Sequence, residues 1–294
     1  MENTRAKTTR NSLILLLTAT IWGMAFVSQS KGMDYMHPFT FNGVRSLIGA
    51  AGILVYILIS RKIAGDKATK LDWKLNVRAG LLCGIFLTIA STLQQFGIKY
   101  TSVGKAGFIT TLYIIFVPMF GIFLKKKVAP VVWAAAGMAA VGMYLLCMTE
   151  SLRLGAGDIM VFLCAIAFAI QIMTVDHYAA RIDGAVVSCI QFTVCGVVCC
   201  IGALIWGQPT FGQIQEGLGA LLYAGVLSCG VGYTLQIVGQ KGLNPTVAAL
   251  IMSLESVIAT ISGWIAYKIG FLSTDQTLTP RQIAGCVIVF AAVI

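Results

Sequence analysis

Thr92-Leu93-Gln94-Gln95-Phe96-Gly97-Ile98-Lys99 is the stretch that decides the fold of this chain, because its pattern occurs twice. The second copy lies 142 residues later, as Thr234-Leu235-Gln236-Ile237-Val238-Gly239-Gln240-Lys241. The same offset continues beyond it through four identical pairs: Ala106 and Ala248, Ile109 and Ile251, Leu112 and Leu254, and Gly121 and Gly263. A match that persists at one offset indicates a duplicated unit of roughly half the chain.

The composition identifies the environment of the chain. Of its 294 residues, 58% are apolar and 11% are charged, and the mean hydropathy is +0.87. Soluble domains carry about 25% charged residues, so the surface of this chain must face lipid. The net charge of +10 does not indicate nucleic-acid binding, because the basic residues cluster in short segments between apolar runs. The nine cysteines fall within apolar runs without metal-ligand spacing, which favours apolar filling between helices.

Ten apolar runs are candidates for membrane-spanning helices, which need about 20 residues each. They are residues 12–32, 38–60, 77–98, 103–124, 129–148, 156–178, 184–206, 217–240, 245–268 and 280–294. No small-residue cleavage site follows the first run, so we expect a retained helix there. The last run opens with Thr279-Pro280, an N-cap followed by a first-turn proline. It has only 15 residues, and we expect the natural chain to continue beyond it.

The basic residues predict the orientation of the first half. If the N-terminus is cytoplasmic, the segments that carry most of the Lys and Arg residues all lie in the cytoplasm. These residues are Arg5, Lys7, Arg10, Arg61, Lys62, Lys67, Lys70, Lys74, Arg78, Lys125, Lys126 and Lys127. The second half has almost no charge bias and follows the first. The sequence thus predicts a multi-pass protein of the cytoplasmic membrane with a cytoplasmic N-terminus.

An odd number of helices in each unit inverts the second unit relative to the membrane. The predicted fold is therefore an all-α polytopic membrane protein, with ten transmembrane helices arranged as two inverted five-helix repeats, residues 1–150 and 151–294. Such repeats are typical of secondary transporters, which bind substrate near the midplane between the halves. The duplication also assigns mates, at an offset of 146 for the first two helices of each unit and 142 for the next two.

Several motifs give the chain a resemblance to a known family. They are Trp22-Gly23-Met24-Ala25-Phe26, Pro38-Phe39 with Phe41-Asn42 and Arg45, Ala106-Gly107-Phe108-Ile109-Thr110 with Leu112-Tyr113 and Val117-Pro118, Gly157-Asp158, Leu254-Glu255-Ser256-Val257, Gly263-Trp264 and Gly285-Cys286. With these motifs the chain resembles the EamA family of the drug/metabolite transporter superfamily. The resemblance implies a secondary carrier, most often an exporter of amino acids or other small metabolites, with a central cavity between the repeats.

The chain departs from this family at one place. Members often carry a Gly-Glu pair at the cytoplasmic end of the fourth helix and at the corresponding end of the ninth, where Lys125-Lys126 and Tyr267-Lys268 stand here. A gating role of that glutamate therefore cannot be transferred. No cofactor is expected, and Gly104-Lys105-Ala106 lacks the earlier glycine and the Ser or Thr of a phosphate-binding loop.

Two charged residues in apolar runs are candidate functional groups. Glu255 lies about ten residues into the ninth run, where an ionised carboxylate costs about 2.5–3.5 kcal/mol. It can accept a proton for coupling, attract a cationic substrate group or serve as a structural partner of an arginine or a helix end. Arg45 shares a helical stripe with Asn42 and can either hold a substrate carboxylate or brace neighbouring helices.

Amide and aromatic side chains complete the candidate set. Gln94 and Gln236 are mates, and they offer donors and acceptors without a fixed charge; their competing use is hydrogen bonding between helices. The predicted cavity residues are Trp22, Asn42, Arg45, Gln94, Tyr113, Gln171, Gln191, Tyr233, Gln236 and Trp264, with Glu255 as the candidate for proton coupling. Aromatic stripes more often serve packing between helices or an interfacial belt, so each aromatic residue alone is a weak indication of a cavity.

The favoured function is secondary transport by alternating access, and the competing hypothesis is an intramembrane enzyme or a channel that uses Glu255, Asp176 or His177. Asp158 is interpreted as a favourable charge at a helix N-terminus rather than as a protease aspartate. The expected partners are a small-molecule substrate and membrane lipid, with a proton or a counter-substrate as the coupling species. The protein is expected to be a monomer or a weak dimer.

Overall fold

In the computed structural model of the chain, residues 2–64, 71–124, 129–147, 155–273 and 275–293 are described. Within these ranges the chain is helical and contains no strand. Three predicted features lie outside the described residues: the basic positions 67 and 70, the basic cluster 125–127 and the boundary between the two units near residue 150.

Eight of the described helices are long and apolar enough to cross a membrane. They are α1 (Glu2–Gly32), α2 (Pro38–Ala64), α3 (Trp73–Ile98), α4 (Val103–Phe123), α6 (Ala156–Tyr178), α7 (Gly184–Gly207), α8 (Leu218–Gln240) and α9 (Pro245–Lys268). Two shorter apolar helices, α5 (Pro130–Cys147) and α10 (Pro280–Val293), complete the numbering in chain order. A short helix, Phe211–Glu216, precedes α8.

The helices occupy the places of the apolar runs, and their ends follow from the local sequence. α1 begins at Glu2, ten residues earlier than predicted, because residues 2–11 contain neither proline nor glycine to stop the helix. α10 begins where Thr279-Pro280 predicts: the Gln282 N–H donates to Thr279 Oγ1 at 3.3 Å, and the Thr279 N–H donates to Gln282 Oε1 at 2.8 Å. The all-helical membrane fold is thereby confirmed.

The helices of the two halves pack against each other in a symmetrical pattern. α2 packs on α7 and α5 packs on α10, so that each of these helices meets its own mate. α3 packs on α6, and α8 packs on α1 in the corresponding way. The interface between the halves is therefore the main packing surface of the molecule.

The duplicated glycine of the octapeptide makes the same contact in both halves. A Cβ atom at Gly97 in α3 would overlap with Val161 in α6, and one at Gly239 in α8 would lie 2.7 Å from Leu15 Cδ2 in α1. Leu15 and Val161 are themselves mates at the offset of 146. Glycine is required at both positions because it lets the helix backbones approach closely, which is how helices gain packing energy in lipid.

Small residues of α4 and α9 also pack against each other. A Cβ atom at Gly107 would lie 3.0 Å from Ala259 Cβ, and one at Gly104 would lie 3.2 Å from Thr260 Oγ1. This contact brings the middle of α4 next to the middle of α9.

We expect the substitution Gly97→Ala to lower the free energy of unfolding by about 1–3 kcal/mol, because the added methyl group overpacks the contact between α3 and α6. Thermal unfolding of the purified protein in detergent measures the effect. The matched control is Gly137→Ala in α5, where a Cβ atom meets no heavy atom within 4 Å. Equal melting temperatures of Gly97→Ala and Gly137→Ala would contradict the close approach of the helices.

Candidate functional site

A buried cavity lies between the two halves, and α1–α4 and α6–α9 all contribute to its wall. Its lining residues are Trp22, Ala25, Phe26, Gln29, Arg45, Ser46, Leu87, Ser91, Gln94, Thr110, Tyr113, Phe168, Gln171, Ile172, Phe192, Ser228, Cys229, Tyr233, Gln236 and Glu255. Among the described residues, α5 and α10 contribute none of them. The cavity thus lies where the packing of the halves brings the polar stripes of eight helices together.

Most of the cavity wall consists of mates. Sixteen of the twenty lining residues form eight pairs at the offsets of 146 and 142. The pairs are Trp22/Phe168, Ala25/Gln171, Phe26/Ile172, Ser46/Phe192, Leu87/Cys229, Ser91/Tyr233, Gln94/Gln236 and Tyr113/Glu255. Equivalent positions of the two halves therefore make up most of the cavity wall, although only Gln94/Gln236 has the same residue in both halves.

Arg45 is the cation of this cavity, and it has no carboxylate partner among the described residues. Its side chain is only 5% exposed, and its Nε atom donates no hydrogen bond within the protein. The Cζ atom lies 5.4 Å from the centroid of the Phe41 ring, which provides a cation–π contact. Buried charges are normally paired, so an unpaired guanidinium at a cavity wall is a potential binding group for an anion.

Glu255 lines the same cavity and is bound by its own mate. Its side chain is 3% exposed, and the Tyr113 hydroxyl donates a hydrogen bond of 3.1 Å to Glu255 Oε1. The sequence assigned these residues to equivalent positions but did not predict that they touch. They touch because α4 packs against α9, so that these equivalent positions face each other.

Tyr113 and Glu255 each directly follow an interruption of their helix. α4 is interrupted at Leu112, with φ −57° and ψ −10°, and α9 at Leu254, with φ −58° and ψ −15°. At each place the backbone N–H bonds three residues back, to Ile109 O at 3.2 Å and to Ile251 O at 3.3 Å. These are tight 3₁₀-type turns, and they occur at mate positions.

Hydroxyl side chains explain the shared turn. Thr111 Oγ1 donates to Phe108 O at 2.8 Å, and its mate Ser253 donates to Leu250 O at 2.7 Å. Such bonds to the preceding turn compete with the regular backbone pattern and bend helices. Pro118 in α4 is not the shared cause, because its mate in α9 is Thr260. Discontinuous helices near the midplane are typical of substrate sites in transporters.

Amide side chains from both halves line the cavity. Gln94 Nε2 donates to Thr110 Oγ1 at 3.2 Å, and Gln236 Nε2 donates to Gln171 Oε1 at 3.2 Å. The Nε2 atom of Gln171 and the Oε1 atom of Gln236 have no partner within the protein. These amide groups thus connect neighbouring helices and also present unpartnered donor and acceptor atoms.

An aromatic group closes one side of the cavity. The rings of Trp22 and Tyr233 lie 4.5 Å apart at 50°, and Phe192 meets Tyr233 edge-on at 5.0 Å. The free volume that remains is about 30 Å³. That is enough for about one or two water molecules and far below the roughly 300–1,000 Å³ of a small-molecule pocket. The structure is thus a closed conformation.

Three of the predicted cavity residues lie elsewhere. Asn42 is buried and donates to Ser91 O at 2.9 Å, and Gln191 is buried against α3 near Gly84. Trp264 is partly exposed on α9. All three follow the helical spacing of the stripes, but the helices rotate them past the cavity wall. Conversely, Gln29 and Thr110 line the cavity without having been predicted, although Gln29 shares the face of Trp22 on α1.

The residues of the competing hypothesis do not join Glu255. Asp176 and His177 lie near the end of α6 and do not line the cavity. Asp158 caps the start of α6, where its Oδ2 atom accepts bonds from Gly155 N at 2.9 Å and from Lys105 Nζ at 2.5 Å. Among the described residues, no three His, Cys, Asp or Glu side chains come together as metal ligands would.

Comparisons with known proteins agree with this geometry. The sequence model of the EamA-like transporter family matches residues 10–148 and again residues 155–294. An "Uncharacterized transporter" of Archaeoglobus fulgidus is 27% identical over 286 residues, which is 95% of this chain and 83% of that protein. The "Uncharacterized transporter YwfM" of Bacillus subtilis is 26% identical over 257 residues, which is 86% of this chain and 84% of that one.

A solved crystal structure has the same fold. It superposes with a TM-score of 0.73 at 16% sequence identity, and the match covers 97% of this chain and 95% of the other. At that identity the likeness concerns the path of the helices alone.

We expect Tyr113→Phe to lower the free energy of unfolding by about 1–3 kcal/mol, because it leaves the buried Glu255 carboxyl without its donor. Thermal unfolding in detergent measures the change. Tyr144→Phe is the matched control, since Tyr144 is exposed on α5. If both variants melt at the wild-type temperature, the hydrogen bond between Tyr113 and Glu255 does not contribute to stability.

Proposed function

The chain belongs to the EamA-like transporter family, and on that premise we propose that it is a secondary active transporter that exports a small amino-acid-like metabolite across the cytoplasmic membrane. The observation that carries this proposal is a closed cavity between the halves that contains one unpaired cation and one carboxylic acid, Arg45 and Glu255. The direction follows from the resemblance, because such carriers most often export.

The proposed substrate has both a carboxylate and an ammonium group. Arg45 would bind the carboxylate, because a guanidinium matches a carboxylate with two parallel hydrogen bonds. Glu255 would receive the ammonium group or, alternately, a proton. The unpartnered amide atoms of Gln171 and Gln236 would orient the remaining polar groups. The ring of Trp22 would cover the apolar part of the substrate.

The proposed mechanism is alternating access between two inverted repeats of five spans each, with the N-terminus in the cytoplasm. The equivalent contacts of Gly97 and Gly239 support the duplication, as does the cavity wall made of mates. Repeats of this kind expose a central site to either side by moving against each other. The turns at Leu112 and Leu254 are proposed as the places where the half-helices change their angle.

The two ends of the closed structure are held by different groups. In the proposed orientation the outer end has the ion pair between Lys105 and Asp158, at 2.5 Å. The inner end has no ion pair among the described residues; there Asn11 Nδ2 donates to Lys241 O at 2.7 Å, and the Lys241 ammonium donates to Ile182 O at 3.2 Å. Opening either end requires these contacts to break, and a bound substrate would shift that balance only by binding one conformation more tightly.

Transport is favoured over catalysis, because the two groups that the enzyme hypothesis adds to Glu255, Asp176 and His177, lie near the end of α6 and do not line the cavity. A channel would need a continuous path, whereas the cavity here holds about 30 Å³. Counterflow in sealed vesicles separates the three classes, because only a carrier exchanges labelled substrate for unlabelled substrate without net flux.

We expect Arg45→Gln to weaken the transport of zwitterionic and anionic substrates by about tenfold or more in KM, because a charged hydrogen bond is worth roughly 1.5–3 kcal/mol. The measurement is counterflow in proteoliposomes across a panel of amino acids and their amides. Lys99→Gln, at an exposed helix end, is the control for a lost charge. Unchanged discrimination between each amino acid and its carboxamide would exclude Arg45 as the carboxylate site.

We expect Glu255→Gln to abolish the stimulation of transport by a pH gradient while counterflow at equal pH continues. Glutamine keeps the size of the side chain but cannot take up or release a proton. Initial rates with and without the gradient measure the effect, and Tyr113→Phe tests whether the neighbouring hydroxyl alone causes it. A variant that retains the full response to the gradient would show that the coupling proton binds elsewhere.

A further inference from the structure

A second pocket opens at the end of the molecule where α2, α6 and α8 finish and α3 and α7 begin. Its volume is about 500 Å³, which is in the range of pockets that bind small molecules. It shares no residue with the central cavity. Three basic side chains line it: Arg61 from α2, Arg181 after α6 and Lys241 after α8.

The acidic residues of this pocket are already engaged. Asp72 Oδ1 accepts from the Leu75 N–H at 3.0 Å and caps α3. Asp183 Oδ1 accepts from two N–H groups at 2.9 and 3.1 Å and caps α7. Neither carboxylate forms an ion pair with a basic side chain within the described ranges. The pocket therefore holds three cations and two carboxylates that do not contact one another as ion pairs, which leaves it with a net positive charge.

An apolar groove continues from the pocket along the lipid-facing side of α2 and α8. The groove has a volume of about 410 Å³, and it shares Tyr56, Thr234 and Val238 with the pocket. The helices touch at Gly49, where a Cβ atom would lie 2.7 Å from Cys229 Cβ. At Gly52, one turn further, a Cβ atom meets no heavy atom within 4 Å. The helices thus diverge towards the basic pocket and leave a channel between them.

We propose that pocket and groove together bind one anionic phospholipid, with its phosphate among Arg61, Arg181 and Lys241 and one acyl chain in the groove. Basic side chains hold phosphate by charge-assisted hydrogen bonds, and basic pockets between membrane helices suit anionic headgroups. Aromatic residues mark the headgroup level of a membrane. Trp73 stands at this level, 58% exposed, with its ring 5.9 Å from Arg61 Cζ.

The apolar groove distinguishes this ligand from a free anion. A soluble phosphate would fill only the basic end of the site. It would leave the apolar channel between Gly52 and Val238 to be filled by membrane lipid. A zwitterionic lipid would fit the groove but would bring an ammonium or choline group towards three cations. The combination of a net positive charge and a continuous apolar channel therefore selects an anionic lipid.

The test is native mass spectrometry of the purified full chain in detergent. The protein is titrated with phosphatidylglycerol and phosphatidylethanolamine that carry identical acyl chains. We expect one phosphatidylglycerol to remain bound at concentrations where phosphatidylethanolamine does not. The single variants Arg61→Gln, Arg181→Gln and Lys241→Gln should each weaken this binding about fivefold.

Two further variants separate the parts of the site. Gly52→Leu places a side chain in the open channel and should weaken lipid binding while leaving the basic groups intact. Lys99→Gln removes a charge at the opposite end of the molecule and should have no effect. Circular dichroism and thermal melting of each variant confirm that it is folded, and Arg181 is exposed, so that its substitution leaves the packing intact.

Three results would overturn the proposal. Equal retention of the two lipids would mean that the basic residues do not recognise the headgroup. Unchanged binding by the variant that combines Arg61→Gln, Arg181→Gln and Lys241→Gln would mean the same. Displacement of the lipid by millimolar inorganic phosphate, together with full binding by Gly52→Leu, would indicate a site for a soluble anion. A dimer that binds no lipid and dissociates on Gly52→Leu would place a second copy of the chain in the groove.

Discussion

A polar group inside a bilayer has no water to bind, and the arrangement of this protein follows from that constraint. The backbone satisfies it by forming helices, and the polar side chains satisfy it by turning towards other helices. Asn42 thus donates to Ser91 O, and Gln95 donates to Gln29 O at 3.1 Å. Because glycine and other small residues let the backbones approach, the polar stripes meet in one place. That place is the central cavity, where Arg45 and the free amide atoms of Gln171 and Gln236 lack partners in the protein.

Much of the fold could be predicted because duplication and hydropathy are both properties of the sequence. The offset of 142 identified Gly97 and Gly239 as equivalent, and the two residues make equivalent contacts. The start of α10 followed from Thr279-Pro280. The early start of α1 could not be predicted, because hydropathy marks where lipid begins, whereas a helix ends only where a residue or a cap stops it. The neighbours across each helix contact also depend on packing, which no local pattern contains.

The site could be predicted in part, and the limits are geometric. Helical spacing puts Asn42 and Arg45 on one face of α2, but that face is wider than the part of it that lines the cavity. A rotation of one residue decides which of them faces the cavity, and Arg45 does so while Asn42 binds the neighbouring backbone. The duplication in the sequence makes Tyr113 and Glu255 equivalent positions, but their contact depends on how α4 packs against α9. The turns at Leu112 and Leu254 could not be predicted, because the hydroxyl groups of Thr111 and Ser253 have many possible hydrogen-bond partners. The sequence does not show that each donates to the carbonyl three residues before it.

The unequal fastening of the two ends has a consequence for the energy landscape. In a molecule with two identical inverted halves, exchanging the roles of the halves would convert the inward-open form into the outward-open form, and the two forms would be degenerate. Here one end has the ion pair of Lys105 and Asp158, and the other has the Lys241 ammonium bound to the backbone oxygen of Ile182, with no ion pair among the described residues. In the alternating-access mechanism proposed above, this difference lifts the degeneracy and gives the empty carrier a preferred resting side.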